Sequence, residues 1–373
     1  MAEKALALLA ELVNIDSGTG DRQGLAQIGG ILKRETDALG FSWECARAGD
    51  GSEHYIARRG GRARASGAGR PLLLIAHLDT VFAKGTAARR GFTLEGDRAK
   101  GPGVADCKSG VGAILGALAQ LDRSGWPERE LVCLFNTDEE IGSPGSREII
   151  TRLAREAAAV LVVEPAEGES LTVSRKGIGR FVLRVTGKAA HSGANYREGS
   201  NAILELAHQI IAVQDLTDLA AGITLNVGVV QGGIRPNVVP DFAAAEIDLR
   251  TVRPGQETRI SAALQRIAAE ARVPGTRATL SGGMTRPPWP ANPGTMRLFE
   301  EFQTLARRLG FELGTTESGG GSDANLVAAV GVPVIDGVGP CGGGCHSEAE
   351  YLEVPSLLRR IDLLADFLKN YQV

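Results

Sequence analysis

The sequence predicts an α/β fold in which one domain is interrupted by a smaller α/β domain. In the first half of the chain, short continuous apolar runs alternate with stretches of helical periodicity, a pattern typical of strands buried on both faces of a sheet. The apolar runs span residues 71–76, 131–135 and 160–163, and the helical stretches span residues 110–121 and 146–158. Beyond residue 177 the strands instead alternate apolar and polar residues, as half-exposed strands do.

The predicted insertion comprises residues 177–286. Its elements follow in the ferredoxin-like order βαββαβ, with strands at 181–185, 224–230, 243–252 and near Ala278, and helices at 201–214 and 257–271. After Pro287 and Pro288, helix and strand alternate again over residues 295–309, 332–335 and 355–371. We therefore predict a discontinuous domain of residues 1–176 and 287–373, split by the inserted domain.

Composition excludes several classes of function. The 373 residues suffice for two domains, and 41 basic against 44 acidic residues give a net charge of -3, which argues against binding to nucleic acid or anionic membranes. Residues 1–12 read as an amphipathic helix rather than a signal peptide, and no apolar run approaches membrane-spanning length. Five cysteines, an odd number, fit a reducing compartment, so we predict a cytoplasmic protein. The Gly/Arg/Ala-rich stretch 59–70 predicts a mobile surface loop.

Acidic residues and histidines follow several of the predicted strands. His77 and Asp79 end the first buried run, and alternation places them on one face, where the carboxylate could hold the second imidazole nitrogen of a metal-bound histidine. Taken alone, this pair favours a structural histidine near a turn over a metal ligand. Asp106 lies at a helix entrance after a glycine-rich segment, where it could either cap the helix or bridge two cations.

Three adjacent acids follow the second buried run. Among Asp138, Glu139 and Glu140, one glutamate could bind metal while its neighbour serves as a base, and a solvated acidic loop is the alternative. Glu164 ends the third run and His346 precedes the last helix. Cys341, Cys345 and His346 could also be a metal cluster, but no second Cys/His pair lies nearby in the sequence.

Together these residues predict a catalytic metal site. Sites in open α/β sheets form at the carboxyl ends of the strands, where most of these acids and histidines lie. Histidines and carboxylates without thiolate suit a catalytic centre of two metal ions better than a closed structural site. The candidates for such a site are His77, Asp106, one of the two glutamates Glu139 and Glu140, Glu164 and His346, and their separate roles stay open at this point.

The motifs resemble the zinc-dependent aminoacylase and glutamate carboxypeptidase family of metallopeptidases, in particular its bacterial folate-cleaving branch. The similar segments run along nearly the whole chain: 12–15, 76–81, 101–106, 135–140, 163–165, 186–191, 318–324 and 345–347. The resemblance implies a di-zinc exopeptidase domain, with Co²⁺ or Mn²⁺ as alternatives to zinc, and an inserted dimerisation domain. It implies a homodimer that hydrolyses a peptide or N-acyl amino acid at the amide bond to the C-terminal residue.

The same resemblance assigns roles to single residues. His77, Asp106 and Glu164 would bind one zinc and Asp106, Glu140 and His346 the other, with Asp106 bridging. Asp79 would orient His77, Glu139 would be the general base, and His191 would reach the partner subunit's site to stabilise the oxyanion. The substrate carboxylate would be held by Asn237, Arg250, Arg286 and Gly320.

Two departures concern specificity and ligation. Ser170 stands where the glutamate-specific branch carries a Lys, so glutamate should be favoured only moderately. Cys107, which follows Asp106, stands where a second acid is common in the family, and we expect it to leave ligation unchanged. An N-acyl amino acid deacylase of the acetylornithine deacetylase or desuccinylase type is the alternative function. A non-catalytic binding protein of the same fold is a remote one.

Overall fold

The structure is a computed structural model that describes residues 2–61 and 69–371. Most of the predicted mobile loop at 59–70 therefore lies outside the described residues. Contacts divide the chain into two compact units, the first comprising 1–174, 291–318 and 322–373 and the second 175–290 and 319–321. Each unit is described by itself below.

The first unit contains a mixed six-stranded sheet with the order β1-β2-β6-β3-β7-β16. Its strands are β1 (Ser42–Arg47), β2 (Glu53–Arg59), β3 (Leu72–His77), β6 (Leu131–Asn136), β7 (Ala159–Val162) and β16 (Val334–Ile335). The neighbours β6, β3, β7 and β16 are parallel, whereas β1 and β2 run antiparallel at one edge. Every residue of β3, β6 and β7 is buried, as the continuous apolar runs predict.

Two smaller sheets complete the strands of the first unit. One has the order β17-β18-β5-β4 and comprises β4 (Thr93–Glu95), β5 (Arg98–Lys100), β17 (Gly342–Gly343) and β18 (Tyr351–Glu353). The other pairs β8 (Ser170–Arg175) with β15 (Gly314–Ser318). The sheet of β17 and β18 matters for the site because the hairpin between these strands carries His346.

The helices of the first unit bury apolar side chains in its interior. They are α1 (Ala2–Val13), α2 (Arg22–Ala38), α3 (Thr86–Arg89), α4 (Lys108–Ser124), α5 (Arg147–Glu156), α8 (Pro293–Arg308), α9 (Asp323–Ala328) and α10 (Val354–Asn370). The central helix α4 packs against α1, α10 and β3, and Phe302 of α8 stacks on Phe367 of α10 with ring centroids 4.1 Å apart. This core fixes the β3 end and the start of α4, the two places from which His77 and Asp106 extend.

The second unit has the ferredoxin-like order that the sequence predicts. It comprises β9 (Gly177–Thr186), α6 (Ala202–Gln214), β11 (Thr224–Gly232), β13 (Phe242–Thr251), α7 (Gln256–Ala269) and β14 (Arg277–Arg286), together with the short strands β10 (Ala190–His191) and β12 (Val238–Val239). The four long strands form an antiparallel sheet with the order β11-β13-β9-β14. The α/β fold class is confirmed, and β11 is an edge strand of this sheet.

The antiparallel edge of the large sheet was not predicted. Strand β1 reads Ser-Trp-Glu-Cys-Ala-Arg and is mostly exposed, so it has no apolar run that would set it apart from a loop. Strand β2 is buried in its centre but carries charged residues at both ends, so its sequence contains no continuous apolar run that would predict a strand. Packing on β6 therefore defines these strands more than their own sequences do.

Candidate metal centre

Three neighbouring parallel strands bring the predicted ligands to one edge of the large sheet. His77 is the last residue of β3, the acidic loop 138–140 follows β6, and Glu164 lies two residues after β7. The order β6-β3-β7 places β3 between the other two. Because the carboxyl ends of parallel strands meet at the same edge, the three segments converge, as the sequence predicts.

Asp106 lies between the two histidines. Its Oδ1 is 2.9 Å from Nε2 of His77, and its Oδ2 is 3.2 Å from Nε2 of His346. The same Nε2 atoms each face one further carboxylate: Nε2 of His77 lies 3.6 Å from Oε2 of Glu164, and Nε2 of His346 lies 3.2 Å from Oε2 of Glu140. The five predicted ligands therefore form two groups, each with one histidine and one terminal glutamate, that share Asp106.

Burial strongly perturbs the protonation of this cluster. Burial raises the pKa of Glu140 to about 7, against the lowering influence of His77. Burial alone would lower the pKa of the His77 imidazole, but Glu164 and the other neighbouring groups raise it well above its usual range. The hydrogen bond to Asp106 raises the pKa of His346 to about 9. The cluster thus gathers negative charge that needs protons or cations for compensation.

The donor set fits two hard or borderline divalent cations. Ligand atoms of His77, Asp106 and Glu140 lie within 4.8 Å of one another, and so do those of His77, Cys107 and Glu164; among the described residues Glu139 belongs to neither group. The Cys107 thiol donates to the Val163 carbonyl (3.0 Å), and burial raises its pKa well above the usual range. Imidazole and carboxylate are therefore the available ligands, which suits zinc and related ions in catalytic sites.

Asp79 connects His77 to the acidic loop. The nearest partner of His77 Nδ1 is the Asp79 carbonyl oxygen at 2.9 Å, while the Asp79 carboxylate is 3.4 Å away. That carboxylate accepts the backbone N–H groups of Glu139 (3.1 Å) and Glu140 (3.2 Å) and the hydroxyl of Thr19 (2.7 Å). Asp79 therefore contacts His77, and it also holds the backbone of both glutamates, which the sequence did not indicate.

Asp138, the first of the three acids, faces the protein interior. Its carboxylate accepts the backbone N–H groups of Gly145 (2.6 Å) and Ser146 (3.1 Å) and the Ser146 hydroxyl (2.5 Å). Its neighbour Thr137 donates its N–H to Nδ1 of buried His54 (3.3 Å). The interpretation of 138–140 as a solvated loop is therefore wrong for Asp138, which fixes the loop on which Glu139 and Glu140 lie.

Cys341 and Cys345 do not join His346 in a metal cluster among the residues that the structure describes. The Cys341 thiol is buried and donates to the Gly168 carbonyl (2.9 Å). His346 instead faces Asp106 and Glu140, with 55% of its side chain exposed. His346 is therefore the candidate metal ligand of this segment, and part of its imidazole is open to solvent.

Glu350 is a residue of this region that the sequence did not single out. It ends the hairpin loop that carries His346, and it is fully buried. Its carboxylate accepts the backbone N–H groups of Gly103 (2.8 Å), Ala105 (2.9 Å) and Asp106 (3.0 Å). The sequence offers two glutamates in this loop, Glu348 and Glu350, and nothing in the local pattern tells which one is buried.

In the second unit, His191 ends β10, and Asn237 immediately precedes β12, the strand that pairs with β10. His191 pairs with Val238, the residue after Asn237, and the Ser192 N–H donates to the Asn237 carbonyl (3.1 Å). Nδ1 of His191 accepts the N–H groups of Gly193 (3.2 Å) and Ala194 (3.1 Å). In the neutral imidazole the proton is therefore on Nε2, and this exposed nitrogen is a hydrogen-bond donor.

Arg250 and Arg286 lie at the same level of the antiparallel sheet. Both pair with Ile178 of β9, Arg250 from one side and Arg286 from the other, so their side chains share a face. Nη1 of Arg250 donates to the Gly319 carbonyl (3.3 Å), and a Cβ at Gly321 would lie 3.1 Å from Cγ of Arg286. Gly320, between these two glycines, is thus held beside both predicted carboxylate-binding arginines.

The sequence from residue 73 to residue 370 matches the peptidase family M20/M25/M40. The chain belongs to this family. The relatives of M20 type include Carboxypeptidase G2 of Pseudomonas sp. (strain RS-16), which is 35% identical over 97% of this chain and 88% of its own length. A Mycobacterium tuberculosis protein named for succinyl-diaminopimelate desuccinylase (DapE) is 29% identical over 80% of this chain and 82% of its own length.

Solved M20 structures share the fold. The metallo-carboxypeptidase Sso-CP2 of Sulfolobus solfataricus superimposes with a TM-score of 0.79 at 20% identity, covering 99% of each chain. YXEP of Bacillus subtilis, described as a dinuclear metal binding peptidase, superimposes with a TM-score of 0.70 at 16% identity, covering 98% of this chain and 97% of its own.

The protein is therefore a Carboxypeptidase G2-like M20 metallopeptidase, a hydrolase of peptide or amide bonds. The family resemblance inferred from the motifs is confirmed, and the non-catalytic alternative is set aside. Over the described ranges, no helix combines the length and apolar character that crossing a membrane requires.

Proposed function

We propose that the chain is a di-metal carboxypeptidase that hydrolyses the amide bond to a C-terminal amino acid bearing a free α-carboxylate. The observation that carries this proposal is the position of Asp106, with one histidine at each of its carboxylate oxygens and one further glutamate beside each histidine. His77 and Glu164 would hold one Zn²⁺, Glu140 and His346 the other, and Asp106 would bridge them. Co²⁺ or Mn²⁺ could take the same places.

Two bound cations would lower the pKa of a water molecule towards about 7 and polarise the scissile carbonyl. Glu139 is the proposed general base. It is adjacent to the ligand Glu140, and its backbone is fixed by Asp79. Glu139 accepts the proton of the attacking water and delivers it to the leaving nitrogen, which then departs as the amine of the released amino acid.

His191 is the proposed donor to the oxyanion. Its Nδ1 is occupied by two backbone N–H groups, so Nε2 carries the proton that a developing negative oxygen needs. We propose that His191 acts in the partner subunit's site.

Arg286, Arg250, Asn237 and Gly320 form the proposed carboxylate site. A guanidinium binds a carboxylate through two parallel hydrogen bonds, and the sheet register puts Arg250 and Arg286 on one face. An internal peptide bond has no carboxylate to offer to such a site, so the arrangement favours exopeptidase activity. This chain has Ser170 where the glutamate-specific branch has a Lys. The loss of that positive charge supports only a moderate preference for glutamate.

A homodimer through the second unit is the proposed assembly. Apolar side chains are exposed on α6 and on the edge strand β11, notably Ile211 (61%), Val229 (50%) and Val230 (57%). An exposed apolar edge strand is unfavourable in a monomer and is usually covered. All five cysteines are free thiols, which supports a reducing compartment such as the cytoplasm.

An N-acyl amino acid deacylase is the second candidate, and the 29% identity to the desuccinylase-named relative favours it. Such an enzyme would use the same metal site and carboxylate site but require a small acyl group on the substrate amine. Acyl-group preference therefore separates the two functions.

The test is a substrate panel with the zinc-loaded protein. We expect kcat/KM for one acyl group to be highest on glutamate and lower on aspartate, alanine and leucine. Blocking the α-carboxylate of glutamate as its amide should lower kcat/KM about 10- to 150-fold, because one charge-assisted hydrogen bond is worth about 1.5 to 3 kcal/mol.

A comparison of acyl groups completes the panel. Acetyl-, succinyl-, benzoyl- and peptidyl-glutamate are compared at equal concentration, and selective turnover of the small acyl groups would favour the deacylase. Undiminished turnover of the α-amide would remove the carboxylate site from the proposal, and a preference for leucine over glutamate would contradict the assigned specificity.

A further inference from the structure

One hairpin supplies both a proposed metal ligand and a clamp, a glutamate that holds the backbone of the proposed bridging residue. Strands β17 and β18 pair at Gly342 with Leu352 and at Gly343 with Tyr351, so residues 344–350 form the loop between them. His346 lies early in this loop and Glu350 ends it. The two side chains differ sharply in exposure, because that of His346 is 55% exposed whereas Glu350 is fully buried.

The Glu350 carboxylate is directed at the backbone that precedes α4. Its Oε2 accepts from Gly103 N (2.8 Å), and its Oε1 accepts from both Ala105 N (2.9 Å) and Asp106 N (3.0 Å). Closely spaced backbone N–H groups of this kind form a concave anion-binding site. Here a carboxylate side chain of the protein itself occupies that site. The contact joins residues 244 to 247 positions apart in sequence, so it ties two separate loops together.

The clamp acts on the residue whose carboxylate both histidines face. Asp106 is held at its own N–H by Glu350, while its carboxylate oxygens lie 2.9 Å from His77 and 3.2 Å from His346. Because Glu350 and His346 belong to one hairpin, movement of this hairpin would move the bridging carboxylate and one terminal ligand together.

We propose that Glu350 is a positioning residue of the metal centre, which sets the bridging Asp106 relative to His346 and so raises the affinity for both cations. This inference rests on the proposed di-metal function. Both carboxylate oxygens of Glu350 are occupied by backbone N–H groups, so we assign it no direct contact with cation or substrate. An amide at this position would offer one acceptor oxygen and place an NH₂ group against a backbone N–H, so the clamp would open at one side.

The experiment measures metal affinity rather than turnover. Metal-free wild type, Glu350→Gln and Glu348→Gln are titrated with Zn²⁺ in competition with a chromophoric chelator. Glu348→Gln makes the same chemical change at an exposed residue of the same loop. We expect Glu350→Gln to bind Zn²⁺ about 10- to 100-fold more weakly, the usual effect of removing an outer partner of a ligand, and Glu348→Gln to bind as wild type does.

A stability control separates positioning from folding. The thermal midpoint of each metal-free protein is recorded, and Ile361→Val, a truncation in the buried face of α10, supplies a destabilised protein with an intact clamp. Absorption spectra of the Co²⁺-loaded proteins report the ligand geometry. We expect Glu350→Gln alone to change this spectrum and the affinity.

Each outcome bears on a separate claim. A wild-type protein without metal would sink the proposed function itself. If wild type binds two equivalents of Zn²⁺ and Glu350→Gln binds them with equal affinity, Glu350 has no positioning role, although the metal centre itself is supported. If Ile361→Val loses as much Zn²⁺ affinity as Glu350→Gln does, the loss reflects lower stability, and the positioning role is overturned as well. If neither Glu350→Gln nor Glu350→Asp folds without metal, Glu350 is a folding residue and the inference is wrong.

Discussion

Replacing Glu139 by Gln is expected to lower kcat by about 10²- to 10⁴-fold while the protein keeps its full metal content. The amide has nearly the same shape as the carboxylate but cannot accept the proton of the attacking water. Metal content should survive, because Glu139 is not one of the five proposed ligands. Steady-state kinetics and metal analysis on the same preparation measure both quantities.

The adjacent glutamate is the matched control for this experiment. Glu140→Gln makes the same change one residue away, at a side chain whose Oε2 lies 3.2 Å from His346. We expect this variant to lose affinity for one cation and to regain part of its activity when metal is added in excess. If Glu139→Gln loses metal and Glu140→Gln does not, the two roles are reversed and the assignment is wrong.

Replacing His191 by Ala is expected to lower kcat by about 10²- to 10³-fold, the usual effect of removing one donor to an oxyanion. KM should change much less, because the donor is needed when negative charge develops on the carbonyl oxygen. The metal content should stay at the wild-type value, since His191 lies in the second unit and all five proposed ligands lie in the first. Arg266→Ala, a change at an exposed residue of α7 in the second unit, is the control and should leave kcat unaltered.

Mixing the two inactive variants tests whether His191 acts across the dimer. Random exchange of His191→Ala and Glu139→Gln chains makes about half of the dimers mixed, and each mixed dimer has one complete site. The mixture should therefore recover about a quarter of the wild-type activity per subunit, if sites act independently. Absence of recovery in demonstrated mixed dimers would mean that His191 serves its own subunit or has no catalytic role.

Part of the proposed ligand set could be predicted from sequence because some of its members follow buried apolar strands. His77 ends β3 and Glu164 follows β7, and both strands read as continuous apolar runs. Parallel neighbours end at the same edge, so a linear pattern indicates a position in space. His346 has no such strand before it, and the sequence resemblance rather than the local pattern assigned it.

The partners that hold these ligands could not be inferred in the same way. Asp138 and Glu350 are buried acids whose acceptors are satisfied by backbone N–H groups of other segments. Burial of an acid depends on which backbone groups the fold brings to it, and a short acidic loop looks the same whether its residues face solvent or protein. The register that places Arg250 and Arg286 beside Ile178 likewise depends on strand pairing over long sequence separations.

A titration that follows metal content and activity together tests the central claim most directly. The protein is stripped with a strong chelator, dialysed, and titrated with Zn²⁺ while bound metal and turnover of an acyl-glutamate are followed together. The di-metal account predicts negligible turnover of the stripped protein, saturation at close to two equivalents per chain, and recovery of activity that follows filling of the site. Full turnover by protein that contains no metal, or saturation at one equivalent, would contradict it.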